Sequence, residues 1–130
     1  MAKKAAKRKV ARRAGATASI RVKRAYEPSS KDDGLRILID RLWPRGLSKT
    51  ALKLDSWVKH LAPSNALRQW YKHDPDKFAE FRRRYLAELK AQGEALDELR
   101  KTVSGRATTL VTATKELELS HATVLRELLV

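Results

Sequence analysis

The stretch Leu35–Leu47, LRILIDRLWPRGL, limits what this chain can fold into more than any other segment. Leu35–Ile39 is a mostly apolar run of the side chains that suit a buried, pleated strand. It changes abruptly into Asp40, Arg41, Trp43, Pro44, Arg45 and Gly46. A core strand that delivers two arginines, a carboxylate and an indole into a Pro/Gly turn has the pattern of scaffold feeding a site. This places a candidate site on the chain without naming a substrate or a reaction.

The rest of the chain sets the frame around that strand. At 130 residues it is long enough for one domain with a sizeable core. Its 42% hydrophobic and 34% charged residues fit a soluble globular protein. No apolar run approaches the roughly 20 residues that cross a bilayer, so no membrane partner is expected. The basic N-terminus lacks the apolar segment of a secretory signal. Cysteine is absent, which excludes disulfides, thiolate metal sites and a cysteine nucleophile and suits a cytoplasmic location.

The net charge of +14 is uneven. Residues 1–24 contain ten Lys and Arg and no acid, so the remainder carries only +4. Residues 1–18 combine Lys, Arg and Ala with almost no large apolar side chain, and a disordered basic tail is expected there. Lys3, Lys4, Lys7, Arg8, Lys9, Arg12 and Arg13 form a polycation suited to nucleic acid, where it would release counterions from phosphates. The alternative is a solvated tail that only promotes solubility.

Past the tail, Ile20–Arg24 alternates apolar and basic residues as a short strand does, and the Pro, Ser, Asp and Gly of 26–34 mark a loop. The second strand is expected over Leu35–Asp40, and a parallel crossover between the two is plausible. Ser48 can cap a brief helical turn. Trp57, Val58 and Leu61 have helical spacing that ends at Pro63. Ser64 is a good N-cap for a helix bearing Leu67, Trp70 and Tyr71, which should stop before His73. Asp74-Pro75 is a helix start signal, and Phe78, Phe81, Tyr85 and Leu89 form one stripe of a helix running to about Gln92. Gly93 is expected to end it, and a helix over Glu94–Val103 to end at Gly105. Ala107–Ala113 reads as a third strand. A last helix opens at Glu116 or Ser120 and buries Val124, Leu125 and Leu128.

Strands separated by helices predict an α/β fold with a small, largely parallel sheet of about three or more strands flanked by helices, within a single domain over residues 19–130. Ligands of such sheets sit beyond the carboxyl ends of the strands. That rule selects Arg24–Tyr26, Asp40–Gly46 and Thr112–Glu116.

The run Ile39-Asp40-Arg41-Leu42-Trp43-Pro44-Arg45-Gly46 closely resembles the short, YeaO-like branch of the family called domain of unknown function 488. The resemblance includes Val22–Tyr26, Leu61–Ser64, Leu67–Trp70 and His73-Asp74-Pro75, and covers about Ile20 to Val130. It implies a compact, cytoplasmic α/β domain of bacteria with no assigned biochemical role. Some members of the family have been labelled transcriptional regulators, but no helix-turn-helix spacing with a basic second helix occurs here. Longer members carry a Cys-containing segment after the last strand. Here Thr112-Ala113-Thr114-Lys115-Glu116 stands in its place, which removes any thiol mechanism.

The candidate ligand-binding residues are Arg24, Asp40, Arg41, Trp43, Arg45, Arg68 and His73. Arg41 and Arg45 flank a proline turn, and paired guanidiniums clamp phosphate or carboxylate. The alternative is that they bridge to Asp40, Asp55 or Asp74 and merely hold the turn. Trp43 can stack on a ligand or belong to the core. Asp40 can act as a general base or be the ion-pair partner of Arg41 or Arg68. Arg24 rests on the strand-end rule alone. His73 can move a proton near neutral pH or pack over Trp70 at a helix entry. His60 and His121 form no metal-binding spacing with each other, and no metal or cofactor is expected. Arg82, Arg83 and Arg84 read as a solvated face, one of which could pair with the site.

These features support a small bacterial α/β domain protein that binds an anionic small molecule at a strand-end Arg/Trp/Asp pocket, with no reaction assigned. The alternatives are a nucleic-acid-binding accessory protein acting through its tail, and a non-catalytic interaction protein whose Arg/Asp turn is a structural knot. Composition and spacing leave the oligomeric state open.

Overall fold

A computed structural model describes residues 20–130, and the expectation for the basic tail, residues 1–18, lies outside them. Four strands form one sheet: β1 (Ile20–Arg24), β2 (Leu35–Leu38), β3 (Ser56–Trp57) and β4 (Thr108–Thr112). Their spatial order is β1-β4-β2-β3 and every pairing is parallel. Five helices flank the sheet: α1 (Lys49–Leu52), α2 (Asn65–Tyr71), α3 (Phe78–Ala91), α4 (Gly93–Val103) and α5 (His121–Leu129).

β4 lies between β1 and β2, with Ile20 and Leu35 both aligned on Thr108. All five of its residues are buried, as a central parallel strand requires. The pleat sorts the side chains of the sheet. Ile20, Ile37, Ile39 and Leu110 join the main core with Phe81, Tyr85 and Leu89 of α3, Leu96, Leu99 and Val103 of α4, and Val124 and Leu125 of α5. Leu38 and Val111, one residue out of phase, point the other way and pack with Ala25, Leu52, Trp43 and Trp57. The helical layer is thus thick on one face, while a short segment around α1 covers the other.

An ion-pair cluster extends the cover on the second face. Asp33 is 1% exposed and meets Lys23 Nζ at 3.0 Å and Arg36 Nη1 at 2.7 Å. Its carboxylate also accepts from the Ser30 backbone N–H. Burial raises the pKa of this group, but those donors outweigh burial and hold it far below the ordinary carboxylate range. The following residue, Gly34, has φ 64°, and a Cβ there would stand 2.1 Å from the Ala107 carbonyl oxygen. Only glycine lets the chain enter β2 this close to the start of β4.

Three expectations are corrected. The helical spacing through Trp57 and Leu61 gives way to β3, because Asp55 and Val58 donate backbone hydrogen bonds to Arg36 and Leu38; only Lys59–Leu61 forms a 3-10 turn. Gly93 does not end a helix by a left-handed turn. It opens α4, and a single non-helical residue, Gln92, separates α3 from it. β2 leaves the ladder before Asp40, although the Ile39 N–H still reaches Val111 at 3.1 Å. The other signals hold. Ser48 and Ser64 accept from Ala51 and Leu67, Asp74-Pro75 begins a 3-10 turn that leads into α3, Glu116 precedes the 3-10 turn Leu117–Leu119 without a side-chain cap, and Ser120 caps α5 by accepting from Ala122.

Candidate functional site

The chain leaves β2 toward β3, whereas it leaves β4 through α5, which packs against β1. The connections therefore part between β2 and β4, the position at which parallel sheets open a crevice. A cleft of about 370 Å³ lies there, lined by all three segments selected from sequence: Tyr26, the run Asp40–Arg45, and Ala113 with Thr114. The end of α2 adds Arg68, Tyr71 and His73, and the start of α5 adds Ser120 and His121.

Asp40 forms the polar floor. Its carboxylate accepts from Thr112 Oγ1 at 2.6 Å and from the Ala113 N–H at 2.8 Å. His121 Nε2 lies 3.1 Å from Asp40 Oδ1 and 3.1 Å from the Ile39 carbonyl oxygen. A nitrogen set between two acceptors carries its hydrogen there. Burial pushes the pKa of Asp40 up, but the His121, Ala113 and Thr112 donors prevail and it lies below the usual value. The expected partners Arg41 and Arg68 play no part in this. Arg41 donates instead to the carbonyls of Pro63, at 3.2 Å, and Ala62, at 3.4 Å. These close the 3-10 turn Lys59–Leu61, where a cation suits the carbonyl end.

Arg45 differs from both. Among the described residues neither it nor Arg41 takes part in any ion pair, so the bridges to Asp40, Asp55 or Asp74 do not form. The Arg45 side chain is exposed, and only its backbone carbonyl is engaged, accepting from Tyr26 Oη at 2.9 Å. That bond ties the loop after β1 to the Trp-Pro-Arg-Gly turn and sets the position of Arg45. Arg68 is also exposed and is held only by neutral Asn65 Oδ1, at 3.0 Å. Its helix is fixed to α3 where Glu88 accepts from the Ser64 N–H at 2.8 Å and from its hydroxyl at 2.6 Å.

The remaining candidates separate. Trp43 lines the cleft, yet its ring packs edge-on against Trp57 with centroids 5.5 Å apart and its indole N–H donates to the Leu47 carbonyl at 2.6 Å. Arg24 is outside the lining, and its guanidinium sits over the Tyr26 ring, 5.5 Å from the centroid. His73 does line the cleft. It lies near Tyr71 rather than over Trp70, with ring centroids 6.0 Å apart, and Lys77 and Arg84 cover Trp70. Lys72 and His73 both have positive φ, 48° and 56°, and this left-handed pair turns the end of α2 toward the cleft. Arg82 pairs with Glu127, and Arg83 and Arg84 with Glu80, so none of the three serves the site.

The comparisons with known proteins can now be set beside this geometry. The family model described as the inactive DUF488-N3 subclade matches residues 19–130. The chain belongs to that family. An uncharacterised protein of Mycobacterium tuberculosis is 47% identical over 110 residues, covering 85% of this chain and 92% of its own length. The uncharacterised protein YeaO of Escherichia coli is 40% identical over 109 residues, covering 84% and 95%. No solved structure matches the chain.

Within this DUF488-N3 chain, His121, Tyr71 and Phe81 line the cleft but were not among the candidates from sequence. A signal for His121 was present. Ser120-His121 opens the helix that follows β4, so the strand-end rule reaches it once extended from the loop to the next helix start. Thr112 is buried and structural, whereas Thr114 lines the cleft. Thr112 holds Asp40, and its hydroxyl lies 3.2 Å from that of Thr114. Among the described residues no group of three or more His, Cys, Asp or Glu is placed to hold a metal, and no helix is long and apolar enough to cross a membrane.

Proposed function

We propose that this protein binds an anionic small molecule in the cleft at the carboxyl ends of β2 and β4. The observation that carries this is the state of Arg45. It is exposed on the cleft wall and has no acidic partner among the described residues, while the nearby carboxylate, Asp40, is already engaged by Thr112, Ala113 and His121. Arg68 brings a second guanidinium held only by an amide, and His73 a third nitrogen donor. Planar guanidiniums in a recessed site match phosphate or carboxylate. Arg41 supports the wall, Asp40 orients the floor, and Trp43 packs behind the turn.

Binding rather than turnover agrees with the chemistry of the site. The Thr112 hydroxyl is fully buried, donating to Asp40 and accepting from the Thr114 N–H, so it is not presented to a substrate. The family's description as inactive points the same way. Titrating inorganic phosphate or sulfate while recording amide chemical shifts tests the reading. Shifts clustered at Arg45, Arg68 and His73 that vanish in Arg45→Ala are expected; shifts elsewhere, or unchanged binding in that variant, would overturn it.

We also propose that the basic N-terminus contacts nucleic acid, which is favoured by ten cations and no acid in residues 1–24. Binding to duplex DNA should then weaken linearly with log salt and be lost on deletion of residues 1–18. Binding that ignores salt or survives the deletion counts against it.

A further inference from the structure

We infer that the ligand of the cleft joins a flat apolar group to its anion, as an aryl phosphate or aryl carboxylate does. This rests on the anion-binding reading above and adds the character of the other half of the ligand. Single exposed apolar residues need no explanation, but exposed apolar side chains gathered at one cleft mark a binding surface. Among the described residues three stand out: Tyr26 at 45%, Leu42 at 65% and the last residue, Val130, at 72% exposure. Tyr26 and Leu42 both line the cleft that holds Arg45, Arg68 and His73.

Tyr26 is half exposed with the Arg24 guanidinium over one face of its ring, and Leu42 is exposed at the turn. Tyr26 and Leu42 belong to neither apolar core, although Ala25 and Trp43 beside them in sequence do. Tyr26 is nevertheless fixed, because its hydroxyl donates to the Arg45 carbonyl at 2.9 Å. The same bond that positions the cationic residue therefore holds an aromatic side chain at the cleft. Leu42 follows from the turn itself, lying between Arg41, which is anchored on Ala62 and Pro63, and Trp43, which is anchored on Leu47. Apolar walls with a few placed polar groups are the usual makeup of a small-molecule site. Inorganic phosphate would satisfy the arginines and leave Tyr26 and Leu42 wet; a ligand with an aryl group covers them as well.

Calorimetric titration of the full chain with inorganic phosphate, phenyl phosphate, benzoate and benzyl alcohol tests this. Phenyl phosphate should bind about ten-fold or more tightly than inorganic phosphate. Leu42→Ser, at a side chain so exposed that folding is unaffected, should remove most of that advantage and leave phosphate affinity unchanged. Benzoate stronger than phenyl phosphate, where phenyl phosphate is itself stronger than phosphate, would assign the anion as carboxylate and supports the inference equally. Phenyl phosphate no tighter than phosphate, or an advantage that persists in Leu42→Ser, overturns the inference while leaving the anion site intact. Benzyl alcohol binding as tightly as phenyl phosphate also overturns it. Failure of the underlying reading looks different: neither phosphate nor phenyl phosphate binds, or both bind equally well to Arg45→Ala.

Discussion

His121 Nε2 lies 3.1 Å from Asp40 Oδ1, so the first residue of the last helix is bonded to the residue that leaves the second strand. With the Thr112 hydroxyl and the Ala113 N–H on the same carboxylate, one side chain joins β2, β4 and α5. Replacing it leaves the Ala113 N–H without an acceptor and leaves His121 and Thr112 only their second partners, the Ile39 carbonyl and the Thr114 hydroxyl. Asp40→Ala should lower the unfolding free energy by about 2 kcal/mol, measured by urea denaturation.

The same site fixes a pH dependence. Burial raises the pKa of Asp40, but its donors more than offset this and the folded value lies below the unfolded one. The contribution to stability is thus complete above the unfolded value of about 4 and is lost as pH falls through the lower folded value. Asp40→Asn should flatten this part of the acid limb in a pH series of denaturation curves. An unchanged acid limb would assign the dependence to other groups.

Asp33 gives a larger effect at the opposite end of the sheet. Its carboxylate is 1% exposed and faces Lys23 and Arg36, the latter with a side chain 5% exposed. Removing it leaves a buried guanidinium without a counter-charge. Asp33→Ala should cost about 3–5 kcal/mol in denaturant titration.

Gly34→Ala is a backbone test. The φ of 64° disfavours any side chain, and the added Cβ would overlap the Ala107 carbonyl oxygen at 2.1 Å. Loss of about 3 kcal/mol or more is expected, read as a drop in thermal midpoint.

Arg41 and Arg45 stand four residues apart and should behave oppositely. Arg41 satisfies the Pro63 and Ala62 carbonyls, so Arg41→Ala should reduce stability by about 1 kcal/mol. Arg45 has no side-chain partner among the described residues, and Arg45→Ala should stay within about 0.5 kcal/mol of the parent while weakening phosphate binding about ten-fold. Stability and calorimetric binding measured on both variants separate a structural arginine from a binding one.

The sequence by itself determined the elements that local chemistry specifies. Ser48, Ser64 and Ser120 cap their helices because a short hydroxyl side chain reaches a backbone N–H of the first turn. The strands β1 and β4 were legible because apolar and β-branched residues cluster there between turn residues. The strand-end rule then located the cleft, since parallel topology fixes where strands release the chain. Only the tertiary structure decided what each polar residue does inside it. Asp40 pairs with His121 rather than with an arginine, and β3 replaces a helical pattern, because both outcomes depend on partners distant in sequence. The division between Arg41, which donates to backbone carbonyls, and Arg45, whose side chain is left exposed, has the same origin. Their local sequence contexts are alike, but the carbonyls of Ala62 and Pro63 come within reach of Arg41 alone.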